Sequence, residues 1–179
     1  MKSGTRLTSL WLSVLLLAAP MGQAAPDSVH EYRLRFFHTH TNKRLEIIYR
    51  IGNKYLPEAL DKLDDYLADH RTGDVRHFDP HLFDLLYDLT ASLKDSGGEI
   101  NVVCGYRTAM SNEFLRTRGA HTGVARKSLH MQAEAIDIRL PGILTSVLRD
   151  AALRLHRGGV GYYRASNFVH VDVGPVRRW

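Results

Sequence analysis

The chain has 179 residues, 44% of them hydrophobic, with 24 Lys and Arg against 19 Asp and Glu. That is enough chain to bury one real core, and a second domain is not expected. The basic residues form no dense run, which gives no support to nucleic-acid binding, and the single cysteine, Cys104, leaves no intrachain disulfide to form.

Residues 1–25 read as a secretory signal peptide. Lys2 and Arg6 precede an apolar run over 7–19, and Gly22, Ala24 and Ala25 supply small residues for cleavage, best after Ala24 because a cut after Ala25 would leave Pro26 beside it. The apolar run is too short to span a bilayer, and no later stretch approaches the roughly 20 apolar residues that spanning needs. Residues 26–179 are therefore expected to form one domain outside the cytoplasm, in the periplasm, with no membrane span. Loss of Lys2 and Arg6 leaves 22 basic residues against 19 acidic, a mild positive balance.

Residues 33–37 and 44–49 are rich in branched and aromatic types and flank a polar turn, a β-hairpin pattern. Residues 57–70 and 80–94 carry leucines at helical spacing, each with a proline suited to the first turn. Next come a strand over 99–104, a short helix over 111–118, a strand over 133–140 and a helix over 143–156 broken by Gly158-Gly159. Strands over 160–163 and 168–173 close the chain. This order predicts an α+β fold with a small, mostly antiparallel sheet and flanking helices. Cys104 ends an apolar run and reads as a small buried hydrophobe.

Two strands carry residues that do not belong in a core. Ile136, Ile138 and Leu140 share one face, so Asp137 points to the other. In 168–173, Val169, Val171 and Val173 alternate with Phe168, His170 and Asp172, which puts an imidazole and a carboxylate on one side of the sheet. A carboxylate beside so much apolar surface needs a hydrogen-bonded partner or a cation. With His130 entering from the preceding loop, two imidazoles and a carboxylate would make a catalytic zinc site with a coordination position left for water. A hydrogen-bonded His and Asp pair fits the same residues. No His-Glu-x-x-His and no Gly-x-Ser-x-Gly is present, and the remaining histidines, His38, His40, His70, His77, His81, His121 and His156, read as surface or satisfied core.

The segment Ser128-Leu-His130-Met-Gln-Ala-Glu-Ala-Ile-Asp137 resembles the Ser-x-His-x-x-Gly-x-Ala-x-Asp motif of the LAS peptidases, which include the D-Ala-D-Ala metallopeptidases and the hedgehog zinc fold. Cys104-Gly-Tyr-Arg107-Thr is similar to that group's Ser-Gly-Tyr-Arg segment, and Asn167-Phe-Val-His170-Val-Asp172 to its last metal-ligand strand. Within the group the likeness is to the MepK (YcbK) murein endopeptidases, and it covers nearly the whole chain after the signal segment. The resemblance implies a hedgehog-like zinc peptidase domain, and a monomer is expected. It implies one Zn2+ per chain on His130, Asp137 and His170, Arg107 steadying the substrate carbonyl or oxyanion, and Ser128 in support. The implied substrate is the peptide stems of peptidoglycan, with cross-links between two meso-diaminopimelate residues (3-3) favoured over D-Ala to diaminopimelate links.

Two departures stand out. The motif glycine is Ala133, costly if its φ is positive. Many members of the group that this chain resembles carry Glu, Asp or His just before the last ligand as general base, where Asn167 stands here, three residues before His170. Asp172 is the candidate general base in its stead, or else an outer acceptor that orients a metal-bound histidine. Two other readings are a non-catalytic zinc or peptidoglycan-binding module, favoured by Asn167 and opposed by Arg107, and a non-haem iron oxygenase on His130, His170 and Asp172, which leaves Asp137 unexplained.

Overall fold

The computed structural model describes residues 29–93, 98–119 and 122–179; the expected signal peptide lies outside them, as do Lys94, Gly97 and His121. The elements run β1 (Glu31–His38), β2 (Arg44–Ile51), β3 (Lys54–Tyr55), α1 (Pro57–Tyr66), α2 (Pro80–Ser92), β4 (Glu99–Cys104), α3 (Ala109–Thr117), a 3-10 turn (Leu129–Gln132), β5 (Ala135–Arg139), α4 (Thr145–Leu155), β6 (Gly159–Tyr163), β7 (Phe168–Asp172) and β8 (Arg177–Arg178). The strands form one sheet in the order β3-β2-β1-β4-β5-β7-β6-β8. Among the described residues, only β1 with β4 and β6 with β8 pair in parallel. The expected α+β class holds, and the sheet gains two short edge strands, β3 and β8, whose two residues each are too few to show an alternation.

One face of the sheet builds the core. Leu34 and Phe36, Ile47 and Tyr49, Ile100 and Val102, Ile136 and Ile138, and Val169 and Val171 alternate along their strands and are buried. They meet the apolar stripes of α1, α2 and α4, including Leu63, Leu82, Phe83, Leu86 and Leu148, all fully buried. Each such leucine removes enough apolar surface from water to contribute about 2 kcal/mol. The helices on this face leave the opposite face of β4, β5 and β7 to other uses.

Helix ends follow local chemistry. Asp79 caps α2 by accepting from the His81 amide at 2.9 Å, with Pro80 in the first turn. α3 begins two residues earlier than the spacing predicts because Thr108 accepts from the Ser111 amide at 3.1 Å. α1 stops at Tyr66, four residues before the predicted end, since the chain beyond it serves the neighbouring segment: the Leu67 carbonyl accepts from the Tyr106 amide at 2.8 Å. Ala133 ends the 3-10 turn with φ 57° and ψ 38°. The conformation costs an alanine about 1 kcal/mol, and its methyl is fully buried in exchange.

Candidate metal centre

Strand register brings the candidates together. Asp137 pairs directly with His170 across β5 and β7, both on the face turned away from the core. The 3-10 turn carries His130 over the same point. Asp137 Oδ1 lies 3.1 Å from His130 Nε2 and 2.9 Å from His170 Nδ1, and the two nitrogens are 3.1 Å apart. All three residues are at most 7% exposed.

The outer side of each ring is already committed. His130 Nδ1 donates to the Gly105 carbonyl at 2.8 Å, and His170 Nε2 donates to Asp172 Oδ2 at 3.0 Å. A carbonyl and a carboxylate only accept, so both rings carry their protons outward and turn lone pairs inward, toward a third acceptor, Asp137. Burial depresses His130, keeping it neutral. Burial also works against a charged His170, but its hydrogen bonds to Asp137 and Asp172 outweigh that and raise it. Asp137, despite burial, is held below the usual carboxylate range by His130 and His170. A proton on His170 Nδ1 or a divalent cation would each relieve these three converging acceptors. Two imidazoles and one carboxylate fit zinc by ligand type.

The Cys104 Sγ, His130 and Asp137 ligand atoms also lie within 4.8 Å of one another. A β-bulge between Val102 and Cys104 explains the approach: Val102 pairs with Ile138 on the core face, whereas Cys104 pairs with Asp137. Strict alternation hides that shift. Burial pushes the Cys104 thiol up to about 12, and its proton points at the Gly105 carbonyl, so the imidazole of His170 is the better third ligand.

Asp172 sits behind this cluster. It is fully buried, with Oδ1 accepting from the amides of Gly159 and Gly174 at 2.9 Å each and Arg177 clamping both oxygens. Burial works against its charge, but the hydrogen bonds from His170 and from the Gly159 and Gly174 amides hold it down at about 2. It does not line the cleft, so a base role, which needs contact with the reacting water, loses its geometric support, and the orienting role fits. Gly159 admits it: a Cβ there would lie 2.4 Å from Asp172 Oδ2. Asn167 is also turned away. Its backbone takes the left-handed turn between β6 and β7 and its side chain accepts from Thr145 at 3.0 Å.

The cluster opens onto a cleft of about 980 Å³. Ser128 lines it, buried, with no side-chain hydrogen bond among the described residues. Arg107 lines it too, only 6% exposed, its amide tied to the His130 carbonyl at 3.2 Å and its Nε without a partner. Trp179 tilts over His170 with ring centres 5.2 Å apart and donates to the Tyr163 hydroxyl at 3.0 Å. Gly161 makes room for that indole, which a Cβ would meet at 2.6 Å. His40 and His70, which read as surface or satisfied core, stack at 4.0 Å and join the rim.

Residues 27–179 match a family model described as peptidoglycan L,D-endopeptidase MepK. The chain is 40% identical over 146 residues to the probable peptidoglycan L,D-endopeptidase MepK of Haemophilus influenzae, a match covering 82% of this chain and 77% of that protein. It is 41% identical over 140 residues to the peptidoglycan L,D-endopeptidase MepK of Escherichia coli strain K12, covering 78% and 75%.

Proposed function

We propose, from the premise that the chain belongs to the MepK peptidoglycan L,D-endopeptidase family, that it is an exported peptidoglycan endopeptidase whose metal centre is His130, Asp137 and His170. The observation that carries the reading is the convergence of three acceptor atoms within 3.1 Å, with both imidazole protons held on the far side. The substrate is the 3-3 cross-link between two meso-diaminopimelate residues, and the enzyme works as a monomer in the periplasm.

Zinc bound by these residues would supply Lewis acidity, making water a better nucleophile near neutral pH and polarising the scissile carbonyl. The chain's own residues do the rest. Gly105 and Asp172 fix the tautomers of His130 and His170, so each ring offers the correct nitrogen without rearrangement. Arg107 faces the cleft with its Nε unpartnered and stabilises the oxygen on which negative charge develops. Its burial makes that attraction stronger than it would be in water. Ser128 lines the same wall, and Trp179 covers the outer face of His170 and limits water access. Asp172 acts through His170 and does not touch the reacting atoms.

A binding module without hydrolysis is the second reading, and Asn167 favours it because its side chain is committed to Thr145. The unpaired Arg107 speaks for catalysis. The test is mass spectrometry of cross-linked muropeptide dimers incubated with the chain from residue 25 onward, with and without chelator. Conversion of 3-3 dimers to monomers only in the presence of metal is the expected result. Stoichiometric metal binding with no dimer of either linkage cut would establish the binding module instead.

A further inference from the structure

The cleft beside the three-acceptor cluster carries charge of one sign. Six basic side chains border it, Arg71, Arg107, Arg116, Arg126, Lys127 and Arg177, against one carboxylate, Asp137. Arg116 and Arg177 are neutralised from outside the cleft, by Glu113 at 2.6 Å and Asp172 at 2.8 Å. The other four make no ion pair among the described residues. Elsewhere, Arg33, Arg44, Arg50 and Arg149 each sit within 3.1 Å of a carboxylate.

Arg107 makes this more than an exposed basic rim. Its side chain is buried, lines the cavity and has an unpartnered Nε, a costly arrangement unless an oxygen from outside the protein meets it. The backbone beside it is tied to a single carboxylate. Asp69, fully buried, accepts from the Arg71 amide at 3.0 Å and from the amide and hydroxyl of Thr108 at 2.9 and 3.0 Å, so one carboxylate sets the backbone at Arg71 and beside Arg107. Arg126 and Lys127 run directly into Ser128 and His130, which couples their wall to the cluster. Tyr163, Phe168 and Trp179 supply an uncharged aromatic wall.

We propose that Arg71, Arg126 and Lys127 form a carboxylate-binding subsite along this cleft, leading toward Arg107 beside the metal centre, and that these three side chains hold a peptide by the free carboxylates flanking the bond to be cut. The proposal rests on the reading of the cleft as a stem-peptide site and adds what that site selects. A peptide whose flanking carboxylates are amidated offers these side chains no charge and binds more weakly.

The test is calorimetric binding of an uncross-linked disaccharide tetrapeptide, with its carboxylates free or amidated, to the metal-loaded protein. The free form should bind about tenfold tighter, with the preference shrinking as ionic strength rises. An R126Q/K127Q variant should keep its metal and lose the preference, while Lys62→Gln, on the exposed side of α1, should retain it. Equal affinities in the unmodified protein, binding of neither ligand, or an undiminished preference in R126Q/K127Q would overturn the subsite. Binding is read without hydrolysis. A protein that discriminates but cuts no dimer therefore counts against the endopeptidase reading alone, and one that cuts dimers without discriminating counts against the subsite alone.

Discussion

Asp84 on α2 and Asp137 on β5 are buried to nearly the same degree, 8% and 7% exposed, yet their surroundings are opposite. Asp84 is met by donors: the hydroxyls of Tyr49 and Tyr55, at 2.8 and 2.5 Å, and Arg50 in an ion pair at 3.1 Å. Burial and the bond to Asp84 push the Tyr55 phenol up to about 12, so it stays a donor. Asp137 is met by ring nitrogens whose protons are spent on Gly105 and Asp172. A carboxylate that the fold neutralises stabilises the fold, and one left among acceptors is reserved for a cation.

The contrast breaks most visibly at His170. His170→Ala should lower dimer cleavage by roughly 10³-fold or more and bring bound metal to background, with the chain still folded by circular dichroism. Retained metal in that variant would remove His170 from the centre. Arg107→Ala should lower kcat by about 10²- to 10³-fold with metal content unchanged, and a purely KM effect would assign it to substrate binding alone. On the other side of the comparison, Asp84→Ala should destabilise the protein by about 3 kcal/mol in denaturant titration, because Arg50 and two phenols lose a shared partner. Cleavage per folded molecule should be untouched.

Asp172→Asn sharpens the picture of the support around the centre. It should weaken zinc affinity by about 10- to 100-fold in competition with a chromophoric chelator, since an amide can present a donor to a ring nitrogen that must itself donate. The smallest effect is on protons. The pKa of His170 is raised in the metal-free protein, so zinc must displace a proton there, and affinity should fall as pH drops through that raised value. A weakly buffered titration at pH below that raised value should register up to about one proton released per zinc bound.

The same contrast governs what the sequence could disclose. Asp137 and His170 stand out because each interrupts an alternating apolar strand, and the register that pairs them follows from that alternation. His130 has no such signal, since it lies on a 3-10 turn whose path depends on the Gly105 carbonyl and on a left-handed Ala133. The bulge that turns Cys104 toward Asp137 is invisible for the same reason: one extra residue reverses faces without changing composition. Asp172 was legible as a partner of His170, but its burial is set by Gly159, Gly174 and Arg177, contacts that no spacing encodes. The strand β8 that delivers Arg177 and Trp179 is two residues long, and its pairing with β6 fixes both.

X-ray absorption at the zinc edge, on protein loaded with one equivalent and active on 3-3 dimers, tests the proposed centre most directly. The account predicts a first shell of nitrogen and oxygen only, with the multiple scattering of two imidazoles, lost in His170→Ala. A sulfur neighbour at about 2.3 Å would contradict it by making Cys104 a ligand in the active enzyme.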